Sequence, residues 1–216
     1  MTRPDRPVLQ RLIASIMAVA ALVAGPAYAV AATGDGSAAT YPGDQILSSF
    51  RAACSSFADF GTARDSAVAQ GWVEIPVDDS TPGGRLVRFG EDMAGKAEGM
   101  TMLKGSLLRR ELAGRELFLA FSGAKTEGVT AKGCRMYDFT AQQPLSAQVL
   151  VAFMGRAPED MKEPIAGFTI ATWNPGMATG QNEFEAAHLA QGTTLPMAMP
   201  ISGVMLKAQT LEIDKP

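Results

Sequence analysis

Histidine occurs once in this chain of 216 residues, at position 188, and cysteine twice, at 54 and 134. One imidazole excludes a histidine-rich metal site and any site built on two imidazoles. A serine nucleophile would have to use His188, yet no Gly-X-Ser-X-Gly turn is present to expose a strained serine. Two cysteines far apart leave no Cys-X-X-Cys, and so no thioredoxin-like redox motif. Neither glycine-rich phosphate loop occurs, which argues against nucleotide binding. No basic run occurs either. With a formal net charge of −3, the chain is a poor match for nucleic acid or an anionic membrane surface.

The one long apolar run stands near the N-terminus. Arg3, Arg6 and Arg11 give a basic start, residues 12–24 are apolar, and Gly25-Pro26 breaks the run. Ala27-Tyr28-Ala29 then places small residues at −3 and −1 of a cut before Val30. This is the layout of a secretory signal over 1–29, cleaved after Ala29; the run is too short for a lasting bilayer anchor. An uncleaved N-terminal anchor is the competing reading. Cleavage removes Arg3, Arg6, Arg11 and Asp5, taking the net charge from −3 to near −5 over 187 residues. No stable transmembrane anchor is then expected. The Ala-rich style of the signal suits a bacterium, so the expected location is periplasmic or secreted.

An even cysteine count in an exported chain predicts a Cys54–Cys134 disulfide, closing a loop worth roughly 4 kcal/mol in the chain-entropy model. Cys54 falls on an apolar stripe with Ile46, Leu47, Phe50 and Phe57, in steps of three and four that make an amphipathic helix opened by Asp44. Cys134 falls in Gly133 to Phe139, read as a central strand. Cys134, Met136 and Asp138 lie on one face of it, and Arg135, Tyr137 and Phe139 on the other.

The remaining pattern predicts a flexible leader over 30–43 and a single α+β domain over 44–216. Gly61 is expected to interrupt the first helix, with Thr62 and Asp65 capping a second that ends at Gly71. Trp72 to Ile75 is a first strand and 78–84 a turn. Residues 85–89 alternate as a strand and 90–99 as a polar loop. Met100 to Leu112 and Glu116 to Ser122 make a hairpin around Ala113-Gly114-Arg115. Pro144 to Met154 fits a short buried helix better than a strand, and Gly155 ends it. Ile165 to Trp173 is a strand, 183–190 is open between helix and strand, and 201–211 is the last strand. The fold class is α+β: a mostly antiparallel sheet with N-terminal helices and one further helix packed on a face.

Other groups give weaker signals. Asp78-Asp79, Glu91-Asp92 and Glu159-Asp160 are carboxylate pairs in polar surroundings and lack the alternation of a calcium loop. Met100/Met102 and Met197/Met199 could offer paired thioethers to Cu(I), or fill gaps in a core. Arg109, Arg110 and Arg115 cluster at the hairpin, either for an anionic glycan or lipid, or as edge-strand charges. From these, no catalytic, cofactor or metal residues and no cofactor are assigned. A cysteine-bearing first helix, a Gly71-Trp72 entry to the sheet and a second cysteine in a middle strand together give a layout that resembles uncharacterised small exported (periplasmic) proteins of proteobacteria. That resemblance implies no activity and transfers no site residues. The expected function is a non-enzymatic binding or accessory protein using a sheet face or edge; the alternative is a periplasmic hydrolase with a noncanonical carboxylate or His188 site.

Overall fold

The computed structural model describes residues 41–193, 195 and 201–213. The signal segment, its cleavage site, the leader up to residue 40 and Met197/Met199 lie outside these residues. The chain is α+β, with four helices and one eight-stranded antiparallel sheet among the described residues.

Helix α1, Gly43–Cys54, presents Ile46, Leu47, Phe50, Ala53 and Cys54 to the sheet along the expected stripe, but Pro42 rather than Asp44 is its N-cap and it ends before Phe57. Helix α2, Phe60–Ala69, starts two residues before the expected cap. Asp59 is its N-cap, its carboxylate accepting the Thr62 N–H at 2.8 Å, so Gly61 lies inside the helix rather than breaking the one before. Strand β1, Val73–Ile75, follows the fully buried Trp72.

The largest departure from the sequence pattern is helix α3, Pro82–Gly95. Residues 85–89 are not a strand, and 90–95 are not a loop. Thr81 accepts the Gly84 N–H at 3.0 Å as N-cap, and Pro82 supplies a preset first helical residue. The Thr-Pro pair inside the turn-like segment 78–84 was therefore a helix start. Gly84 is required there, since a Cβ would sit 1.9 Å from the Asp78 carbonyl oxygen.

Strands β2, Thr101–Leu112, and β3, Arg115–Thr126, form the expected hairpin across Ala113-Gly114. β3 runs on past Ser122, where the sequence pattern ends it, turns at Glu127-Gly128 and enters β4, Val129–Asp138. Helix α4, Ala147–Met154, is capped by Ser146 and ends at the left-handed Gly155. Strand β5, Asp160–Ile165, was not anticipated; it turns through Ala166-Gly167 into β6, Phe168–Trp173. The ambiguous segment is strand β7, Glu183–Leu189, and the last strand is β8, Gly203–Ile213.

The sheet order is β1-β2-β3-β4-β8-β7-β6-β5, two meanders joined along β4 and β8. Cys134 pairs with Ala208 on that seam and is disulfide-bonded to Cys54. On one face, α1, α2 and α4 cover a core holding Leu108, Leu119, Met136, Trp173, Phe184 and Leu206. Phe184 meets Phe50, Phe153 and Trp173 at ring-centroid distances of 5.3 to 5.6 Å, joining the second meander to α1 and α4. On the other face, Leu86 of α3 packs with Leu107, Phe118, Ala120, Tyr137 and Phe139. One expected further helix is thus two, on opposite faces.

Candidate functional site

Alternation along the central strands sends every second residue to the face that α3 shares. That helix lies over β2 and β3. Farther across, registered partners form a row of polar groups: Arg135 on β4 stands opposite Lys207 on β8, Lys207 opposite Glu185 on β7, Glu185 opposite Thr172 on β6, and Thr172 opposite Asp160 on β5. A neighbouring row holds Ser122, Gly133, Gln209 and Glu183.

Like charges placed directly across a ladder repel, and the two cations here turn apart. Lys207 leans to β7, its Nζ 2.8 Å from Glu183 Oε1 and 3.2 Å from Glu185 Oε2. Its side chain is 8% exposed and those of both glutamates 14%, so the three form a nearly dry cluster in which two carboxylates face one ammonium. Charges this far from water hold only while paired. Arg135 turns the other way, flat over Gly133 toward β3, where it donates to Ser122 Oγ. A Cβ on Gly133 would lie 2.7 Å from the guanidinium, so the glycine makes room for that pose. Arg135, Thr172, Met205, Ile170 and Phe168 around the cluster are all partly exposed. Behind Arg135, burial raises the Tyr137 phenol; Arg135 lowers it and Glu185 raises it to smaller extents.

The residues singled out from sequence fall elsewhere. Asp138 is 1% exposed in its side chain and accepts five hydrogen bonds: from Arg115 Nε at 2.7 Å and Nη2 at 2.9 Å, Tyr41 at 3.1 Å, and Thr140 through both its N–H and its hydroxyl. Burial pushes its carboxyl up, but the Arg115 and Thr140 bonds together outweigh that and hold it below the usual range. The same contact raises Arg115. Burial, with Asp138 adding, raises the Tyr41 phenol. A carboxylate so fully engaged fixes the chain just ahead of α1 to the end of β4.

His188 is 6% exposed, and its Nε2 lies 3.4 Å from the Ala141 carbonyl oxygen. Burial lowers its pKa and the backbone bond only partly restores it. Among the described residues, no carboxylate or hydroxyl is brought onto that ring nitrogen.

The carboxylate pairs are divided. Asp78 accepts from Ser80, and Asp79 pairs with Arg88 of α3 at 3.0 Å. Glu91 and Asp92 lie exposed on α3. Glu159 accepts the Asn174 N–H and pairs with Arg156, while Asp160 pairs with Lys162. The Asn174 bond is the main cause of the lowered Glu159 pKa. The arginines also separate: Arg109 pairs with Glu116 at 3.3 Å, Arg115 holds Asp138, and Arg110 faces a groove beside α1. Met100 precedes β2 and Met102 is within it. Among the described residues, no three His, Cys, Asp or Glu side chains gather as a cluster that could hold a metal.

The Lys207 cluster escaped the sequence pattern because its members are brought together only by strand register. A signal was nevertheless present. Glu183 and Glu185 alternate with buried Phe184 and Ala186, and Lys207 stands between buried Leu206 and Ala208.

Comparison with protein-family models, with curated proteins and with solved structures finds no match.

Proposed function

We propose that this is a non-enzymatic binding or accessory protein, exported to the periplasm or beyond the cell, which meets a partner protein on the sheet face around Arg135 and Lys207. The reading is carried by that face: a row of charged and polar groups crosses five strands beside partly exposed Met205, Ile170 and Phe168. Arg135 supplies a planar donor suited to a partner carboxylate, and the apolar neighbours supply area that exclusion of water would reward.

Both sheet edges suit a partner less well than the face. β1 is three residues long, and β5 carries Pro164, three charged side chains and a register shift between Lys162 and Ile165. Short, charged or irregular edges oppose strand addition. The disulfide fits an oxidising compartment. No described helix is long and apolar enough to cross a membrane. A hydrolase built on His188 would need a hydroxyl and a carboxylate on a ring that instead meets a backbone carbonyl.

A photo-crosslinking residue placed at Ile170 in the native host tests the reading, with the exposed Val68 of α2 as control position. A single defined adduct is expected from Ile170. It should be lost on Arg135→Glu while the melting temperature stays unchanged. Equal labelling from both positions, or none from Ile170, rejects the face as the meeting point.

A further inference from the structure

On the opposite side of the sheet, a groove of about 540 Å³ runs between α1 and the end of β2. One wall is a flank of α1, namely Asp44, Gln45, Ser48, Ser49 and Ala52; the other is Arg110 and Leu112, and Gln70 closes one end. Gln70 donates to the Ala52 carbonyl, and Arg110 Nε lies 3.9 Å from where a Cβ on Gly71 would stand, so the cation belongs to the Gln70 end. Asp44 lies in the first turn of α1, at the other end. Eight helical residues separate Asp44 from Ala52, a rise of about 12 Å.

Three features mark this groove as built for a ligand. Arg110 and Asp44 have no hydrogen-bond or ion-pair partner among the described residues, although most other arginines do. Ser49, which lines the groove, is only 9% exposed, and its buried hydroxyl has no hydrogen-bond partner among the described residues, a state that costs stability. The charges are opposite in sign and stand at opposite ends, with neutral hydrogen-bonding groups (Gln45, Ser48, Gln70) between them.

We propose that the groove binds a short zwitterionic peptide, with its terminal carboxylate on Arg110, its terminal ammonium on Asp44, and its backbone across Gln45 and Ser48. An extended chain spans about 3.3–3.6 Å per residue, so about three residues fill a length of about 12 Å. A dianion would meet repulsion from Asp44, and a dication repulsion from Arg110. The zwitterion satisfies both. This site lies on the other side of the sheet from the Arg135 face and does not rest on a partner binding there.

Trialanine is a suitable probe, titrated into the oxidised full-length protein while backbone amide shifts are followed by NMR. Saturable shifts are expected at Ser48, Ser49, Gln70 and Leu112. N-acetylated and C-amidated trialanine should each bind about tenfold more weakly, the scale of one charge-assisted contact. Asp44→Asn should weaken the zwitterion but leave the N-acetyl peptide unaffected, and Arg110→Gln should do the same for the amide. Asp44 is exposed and Arg110 partly exposed, and an unchanged melting temperature establishes that each variant is folded. Absence of saturation at millimolar peptide, shifts elsewhere on the protein, or equal binding of all three peptides would overturn the proposal.

Discussion

Cys54, the last residue of α1, and Cys134, paired with Ala208 in the β4–β8 ladder, are bonded with their Cα atoms 5.6 Å apart, at a sequence separation of 80. Both are fully buried, one among Phe50 and Phe57 of the helix layer and the other between Phe121 and Ala208 of the sheet. The bond therefore ties two layers at their common core.

Loss of that bond should be expensive. Cys54→Ser with Cys134→Ser frees a loop worth roughly 4 kcal/mol in the chain-entropy model and buries two hydroxyls among apolar groups. For a chain of this size, that corresponds to a fall in Tm on the order of 10 °C, measurable by calorimetry. Thiol titration of the unfolded, unreduced protein should find no free thiol; two per chain would refute the bridge.

Asp138→Asn should cost about 3 kcal/mol, because it leaves the Arg115 guanidinium facing a neutral amide in a place shielded from water. Its pH signature follows from the lowered folded pKa. The native state holds the proton more weakly than the unfolded one. The contribution is thus complete above the unfolded value of about 3.9 and is lost as pH falls through the folded value. Denaturant melts of the two proteins should converge as pH drops below about 4.

His188 gives the second pH window. Burial lowers its folded pKa, so between that value and about 6.5 the unfolded state binds more protons than the native state. Stability should rise with pH through this interval and level off above it. His188→Gln should flatten that rise between pH 5 and 7 while leaving the acid limb set by Asp138. A slope unchanged by the substitution would show that the imidazole does not titrate as its burial dictates.

Two glycines of α3 should respond in opposite directions. Gly90→Ala adds a methyl group where nothing lies within 4 Å and removes a flexible residue from a helix interior, a gain of about 1 kcal/mol. Gly84→Ala drives a Cβ into the Asp78 carbonyl, 1.9 Å away, and must displace either the cap or the helix. Chemical denaturation of both variants separates a propensity effect from a packing effect within a single helix.

The contrast between α1 and α3 shows what local pattern can carry. Ile46, Leu47, Phe50 and Cys54 recur at helical spacing because the whole stripe is buried, so α1 was legible. α3 buries only Leu86 and two glycines. Arg85 to Phe89 alternates by accident of composition, and the Thr81-Pro82 start was hidden in turn-forming residues. β4 was legible in its faces but not in its start, because Val129 to Lys132 belongs to a hairpin that its glycine punctuation disguised. The Arg135–Lys207–Glu185 row depends on β8 entering between β4 and β7, which no local signal announces.

That entry of β8 bears on the order in which the molecule can be made. The chain from α1 to β4 contains both cysteines and one complete meander, whereas β4 obtains its other neighbour only from the final strand. A chain delivered N-terminus first, from a ribosome or across a membrane, can therefore close its covalent link while the second meander is still to come. Gln181 donates its amide to the Cys54 carbonyl at 2.7 Å, and Phe184 rests on Phe50, so the later half of the chain packs on the helix that the disulfide holds. Covalent closure needs nothing beyond β4, and only the last strand completes the sheet.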